Sequence, residues 1–119
     1  MGYKTTVTEI GPLVSEFLGA NLLIIFNDNA PDALREMAVL HTIEDFSDPV
    51  KVDDIIAFDG KEYLVTAVGG EANETLEKMG HCTFCFTGKD QAEIPGQIEL
   101  IGEGLPEVKI GTVIEIMHL

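Results

Sequence analysis

The chain has 119 residues, enough for one domain that buries about two-thirds of its unfolded surface around a single core. Twenty-one acidic residues against seven basic ones give a formal charge of −14, which repels nucleic acid and anionic lipid and favours a basic protein partner. No run reaches the roughly eighteen apolar residues of a membrane span, and MGYKTTV lacks the apolar stretch of a signal peptide. A cytoplasmic protein with no direct membrane insertion is the expectation.

In chain order, strands are predicted over 5–10, 22–26, 37–43, 55–58, 62–68, 82–87, 97–101 and 112–117. Each is short, rich in Val, Ile, Thr and Phe, and bounded by Gly, Pro or Asp-Gly. Asp59-Gly60 reads as a hairpin turn joining the fourth strand to the fifth. Short helices fit between them: 13–18 ended by Gly19, 31–36 opened by Pro31 behind Asn29 or Ala30, and 71–79 with Asn73 as N-cap and Gly80 as the stop. The fold class is mainly β, a closed barrel or a sandwich with two or three short helices.

Cys82 and Cys85 spell C-x-x-C, but HCTFCFTG alternates as a strand and sends the two sulfurs to opposite faces. Two buried or half-buried free thiols are expected rather than a redox pair or half a zinc site. Glu44, Asp45, Asp48, Asp53 and Asp54 lack the spacing and the glycine of a Ca²⁺ loop and read as a solvated segment. With no GxxxxGK[ST] and no EF-hand pattern, neither a cofactor nor a metal is expected.

His41, inside the apolar run EMAVLHTIEDF, is the candidate for chemistry. An imidazole attacks phosphorus as a neutral base near pH 7 and leaves again, so a histidine held in an apolar strand can carry a phosphoryl group. His81, between Gly80 and a strand, is a candidate donor to phosphoryl oxygens, the alternative being a hydrogen bond to backbone. His118 reads as exposed and idle.

NAPDAL at 29–34, VTAVG at 65–69, EKMGH at 77–81, the TxxFxG stretch from Thr83 to Gly88 and AEIPG at 92–96 occur around His41 in a fixed order. In that order and spacing the chain resembles the IIA component of the glucitol/sorbitol-type phosphoenolpyruvate:sugar phosphotransferase system, from about Thr5 to the last strand. The resemblance implies a small closed β-barrel spanning residues 1–119 and a phosphoryl-accepting histidine at the position of His41. Members of the family can carry a second histidine just downstream; here that position is Ile43.

What the resemblance implies is a relay. The phosphorylated histidine carrier protein docks, His41 accepts the phosphoryl group, and the group passes to a cysteine on the IIB unit of a membrane IIB/IIC sugar-alcohol permease. Whether the chain forms a homo-oligomer is left open by the sequence. Two other classes stay open as well. One is a regulatory or scaffold relative, which a IIB protein could not dephosphorylate. The other is a small acidic β-barrel binding module without phosphoryl chemistry, favoured if His41 is fully buried with both ring nitrogens bonded.

Overall fold

Along β1 (Tyr3–Ile10), Tyr3, Thr5 and Val7 are buried while Lys4 and Thr8 are exposed, the period of a strand with one wet face. The same logic builds the rest of the wall in the computed structural model, which describes residues 2–119. After β1 come α1 (Val14–Gly19), β2 (Leu22–Asn27), α2 (Asp32–Arg35), β3 (Val39–His41), β4 (Ile55–Phe58) and β5 (Lys61–Val68). They are followed by α3 (Ala72–Met79), β6 (Cys82–Cys85), β7 (Gln97–Ile101) and β8 (Val113–Met117). The eight strands close into a barrel in the order β1-β3-β2-β6-β7-β5-β4-β8. Closure gives every strand two partners.

Two pairs, β2 with β3 and β6 with β7, run parallel, and the others are antiparallel. A parallel pair needs a crossover, supplied by the α2 segment and by residues 86–96. Between β4 and β5 the expected turn is present, with Asp59 at φ 50° and Gly60 at φ 84°, both signs a two-residue hairpin of this twist requires. The barrel lumen is filled by Leu23, Ile25, Val39, Ile56, Phe58, Tyr63, Val65, Phe84, Ile98, Leu100 and their neighbours. On the outer face of β2 and β3, Phe26, Ala30, Ala38 and Leu40 form a second, smaller cluster.

Helix α3 lies against the barrel and contributes Ala72 and Leu76 to the main core. Gly80 ends it in the left-handed conformation, as expected, with φ 60°. Asn73 is not its N-cap. Glu71 holds that position, and the Asn73 amide instead accepts from Val50 N (2.8 Å) and donates to Val50 O (3.0 Å). Pro31 stands one place earlier than expected, at the N-cap of α2, and Gly19 is the last residue of α1 rather than its stop. Strand β3 is shorter than predicted at both ends, because residues 36–38 form a turn and the chain leaves the sheet after His41.

Candidate functional site

The end of β3 fixes His41. Val39 packs in the main core and Leu40 in the outer cluster, so alternation turns the His41 ring inward at the rim of the lumen. Its cross-strand neighbours are Val7 on β1 and Asn27 on β2. The ring is fully buried, at 0% exposure. A buried imidazole must spend its nitrogens on partners, and this one does. Nδ1 lies 3.0 Å from Thr5 Oγ1 and 2.9 Å from the Thr42 carbonyl oxygen. Nε2 lies 2.7 Å from the Gly80 carbonyl oxygen.

Those contacts constrain the proton. Carbonyl oxygens only accept, and a neutral imidazole donates from one nitrogen. With the proton on Nε2, the ring donates to Gly80 and accepts at Nδ1 from the Thr5 hydroxyl; with the proton on Nδ1, it donates to Thr42 and Nε2 carries the lone pair. The two tautomers thus differ in whether the ring donates to the end of α3 at Gly80 or to the segment after β3 at Thr42.

Thr5 is 1% exposed, and its Oγ1 also reaches the Thr42 carbonyl (2.7 Å) and Thr42 Oγ1 (2.9 Å). Thr42 Oγ1 in turn accepts from Thr6 N (3.1 Å) and donates to Glu44 (2.9 Å). Next along β1, burial pushes the Tyr3 phenol above its ordinary value, with the Glu44 charge adding to the effect and a hydrogen bond with Thr5 opposing it. Phe46 packs edge-on against Tyr3 at 5.4 Å, which anchors the irregular segment that follows His41.

Gly80 is at this site for two reasons. Its φ of 60° suits glycine, and a Cβ there would come 2.1 Å from Asn27 Oδ1 and 2.7 Å from His41 Cε1. Sequence reasoning used Gly80 only as a helix stop and missed Thr5 and Asn27. The available signal for Thr5 was a hydroxyl on the same strand face as Tyr3 and Val7.

A cavity of about 630 Å³ opens beside this end of the barrel, lined by Asn27, Ile43, Glu44, Asp45, Glu77 and Lys78 among others. Lys78 is its one basic residue and is tied to Glu74 at 3.0 Å. A second cavity of about 500 Å³, around Gly69, Gly70, Asp90 and Pro95, contains none of the histidines.

His81 departs from the expectation. Its ring stacks on Phe26 at 4.6 Å, and its Nδ1–H donates to the Ile25 carbonyl at 3.0 Å. Phe26 belongs to the outer cluster, so the ring of His81 is on the other side of the sheet from that of His41. The backbone-bonded alternative is the one this geometry matches. Through its main chain, however, His81 pins the turn that carries Gly80: its N–H donates to Thr75 O (3.2 Å), and its carbonyl accepts from Thr75 Oγ1 (2.6 Å).

His118 is not idle either. Its Nδ1 lies 2.7 Å from Asp54 Oδ2. Burial alone would raise the Asp54 carboxyl, but the Lys51 N–H and His118 outweigh it and hold the group below the usual carboxylate range. Asp54 is therefore a buried, paired member of a stretch expected to be solvated. Both cysteines are free and buried, and burial pushes each thiol above its ordinary value. No described helix is long and apolar enough to cross a membrane.

The profile of the PTS system glucitol/sorbitol-specific IIA component family matches residues 2–115. The PTS system glucitol/sorbitol-specific EIIA components of Shigella flexneri and of Escherichia coli strain K12 are each 31% identical over 113 residues, covering 95% of this chain and 92% of theirs. The crystal structure of a PTS system IIA component from Enterococcus faecalis V583 is similar at a TM-score of 0.84 and 28% identity, over 98% of this chain and all of that one. A closed eight-stranded barrel with this sequence places the chain in the glucitol/sorbitol-specific IIA component family of the phosphotransferase system.

Proposed function

We propose that the protein is a cytoplasmic phosphoryl relay in which His41 accepts the group from a phosphorylated histidine carrier and passes it to the IIB unit of a glucitol/sorbitol permease. The observation that supports this reading is a histidine at the end of β3, in a chain of the IIA family, whose Nδ1 and Nε2 each lie within hydrogen-bond distance of a carbonyl oxygen on opposite sides of the ring. Nδ1 faces β1 and is boxed in by Thr5, whereas Nε2 faces the glycine that ends α3. Nε2 is thus the reacting nitrogen. For it to act, the Gly80 carbonyl swings aside and the ring proton sits on Nδ1, donating to Thr42.

The step is then balanced. The P–N bond to the donor imidazole breaks as the P–Nε2 bond to His41 forms, with no redox change. Transfer onward reverses the bond at His41 and forms a bond to the acceptor thiolate. Neither step uses a sugar bound to this chain. In this reading His81 is a positioning residue, holding the 80–81 peptide from behind.

The test is intact mass after incubation with phosphoenolpyruvate, the system's first enzyme and the histidine carrier. One acid-labile, alkali-stable phosphoryl group is expected, absent from His41→Ala and His41→Gln. Undiminished uptake in both variants would sink the assignment.

One observation favours a second reading, a binding module without phosphoryl chemistry. His41 is fully buried and bonded at both nitrogens, the arrangement of a structural core histidine. Under that reading the folded wild type takes up no phosphoryl group from the carrier, and the same mass measurement decides.

A further inference from the structure

We propose that the Asn27 side chain is the hydrogen-bond donor that holds the phosphoryl group on His41, an assignment that rests on His41 being the acceptor. Asn27 is the residue in register with His41 on the adjacent parallel strand. Ile25 packs in the main core, so alternation turns Asn27 to the same face of the sheet as His41. Neighbouring strands lie about 4.8 Å apart, which sets the two side chains next to each other.

The Asn27 residue is 9% exposed, and the little surface it keeps lines the cavity beside His41. The three contacts of the His41 ring go to Thr5, Thr42 and Gly80, and the Asn27 amide pairs with no protein group among the described residues. With no protein partner among these residues and its polar atoms open to the cavity, the amide is free to be completed there by a ligand or water. Its Oδ1 rests against Gly80, where a Cβ would come within 2.1 Å, which leaves the Nδ2 end for the cavity.

The need for such a donor follows from the charges. A phosphoryl group in transit spreads negative charge over its equatorial oxygens. The mouth of the cavity carries Glu44, Asp45 and Glu77, which repel it, and Lys78 is its only cation. Lys78 is solvent-exposed and engaged with Glu74, so its field is weakened by water. An amide already in place in the wall stabilises the transferred group with little reorganisation.

Phosphoramidate is the donor that isolates this step, because it needs no docking surface. It reacts as the N-protonated monoanion: the P–N bond breaks, neutral ammonia leaves with the protons it already carries, and the P–Nε2 bond forms while His41 keeps its Nδ1 proton. Uptake is followed by intact mass, and the ³¹P signal of the product is titrated with pH. The proteins compared are wild type, Asn27→Ala, Asn27→Asp, Lys78→Gln and His41→Gln, each checked for cooperative unfolding.

Asn27→Ala is expected to take up phosphoryl about 10²-fold more slowly, the usual loss for one preorganised donor. Asn27→Asp keeps the shape, faces a carboxylate to the phosphoryl group, and is expected to be slower still. The phosphoryl group on Asn27→Ala should protonate at higher pH than on wild type, because the donor to its dianion is gone, whereas Lys78→Gln should leave that titration near wild type. Wild-type rates in Asn27→Asp overturn the proposal even if Asn27→Ala does not fold. So does an unmoved phosphoryl titration in Asn27→Ala. Uptake that survives in His41→Gln is a separate result, and it removes the His41 reading itself.

Discussion

Replacing Gly80 by alanine tests the contacts that the end of α3 makes with His41 and Asn27. Two costs add at that position. A left-handed alanine is disfavoured by about 1–2 kcal/mol. The new Cβ, built 2.1 Å from Asn27 Oδ1 and 2.7 Å from His41 Cε1, must also displace both side chains. Each forced departure from a rotamer costs about 0.5–1.5 kcal/mol, and loosening the His41–Gly80 hydrogen bond costs about 1 kcal/mol more.

The total is about 3–6 kcal/mol, a large share of the roughly 5–15 kcal/mol of a domain this size. The control is Gly60→Ala. Gly60 is also left-handed, at φ 84°, but a Cβ there meets nothing within 4 Å, so only the conformational cost of about 1–2 kcal/mol applies. In urea unfolding of the two variants, Gly80→Ala should lose at least about 2 kcal/mol more than Gly60→Ala. In thermal melts Gly80→Ala should fall by about 10–25 °C. Equal losses in the two variants would refute the claim that α3 ends in contact with His41 and Asn27.

Thr5→Val keeps the shape of a buried side chain and removes the hydroxyl between His41 Nδ1 and Thr42 O, so it should cost about 1–3 kcal/mol by urea unfolding and change the tautomer ratio read from ¹⁵N ring shifts. Because the Asp54 carboxyl is depressed in the fold, its contribution is present in full above about pH 4 and is lost as pH falls through the lower folded value. His118→Ala should therefore flatten the fall of unfolding free energy below pH 4, and an unchanged slope would show that the Lys51 N–H alone holds the charge. Carrier association should slow as salt rises, since a chain of charge −14 gains encounter rate from fields screened over about 8 Å at physiological ionic strength. A stopped-flow rate constant independent of salt would assign the acidic surface to solubility alone.

The sequence made the wall of the barrel legible because strands report themselves locally. Tyr3, Thr5 and Val7 alternate with wet neighbours, and Asp59-Gly60 supplies the positive φ angles of its hairpin without help from elsewhere. Gly80 was readable as a helix end for the same reason. Its carbonyl was not readable as a partner of His41, since that contact depends on the register of β2, β3 and β6, set by residues far apart in the chain. His81 misled because closeness in sequence to Gly80 says nothing about which side of the sheet a ring occupies; Phe26 decides that by offering a face to stack on. Asn73 misled in a similar way, as a good capping residue drawn off by the backbone of Val50.

The pairing of β1 with β8 bears on how the molecule is made. Tyr3 meets Ile116 and Thr6 meets Val113, so the barrel's seam joins residues more than a hundred positions apart. A ribosome adding about 5–20 residues per second exposes β1 several seconds or more before β8 exists to cover its free edge. During that interval β1 has β3 on one side and nothing on the other, and Thr5 and His41 meet in a half-built wall. The phosphoryl chemistry proposed for His41 thus waits on β8, and the open edge of β1 is where a nascent chain of this family is most exposed to pairing with the wrong neighbour.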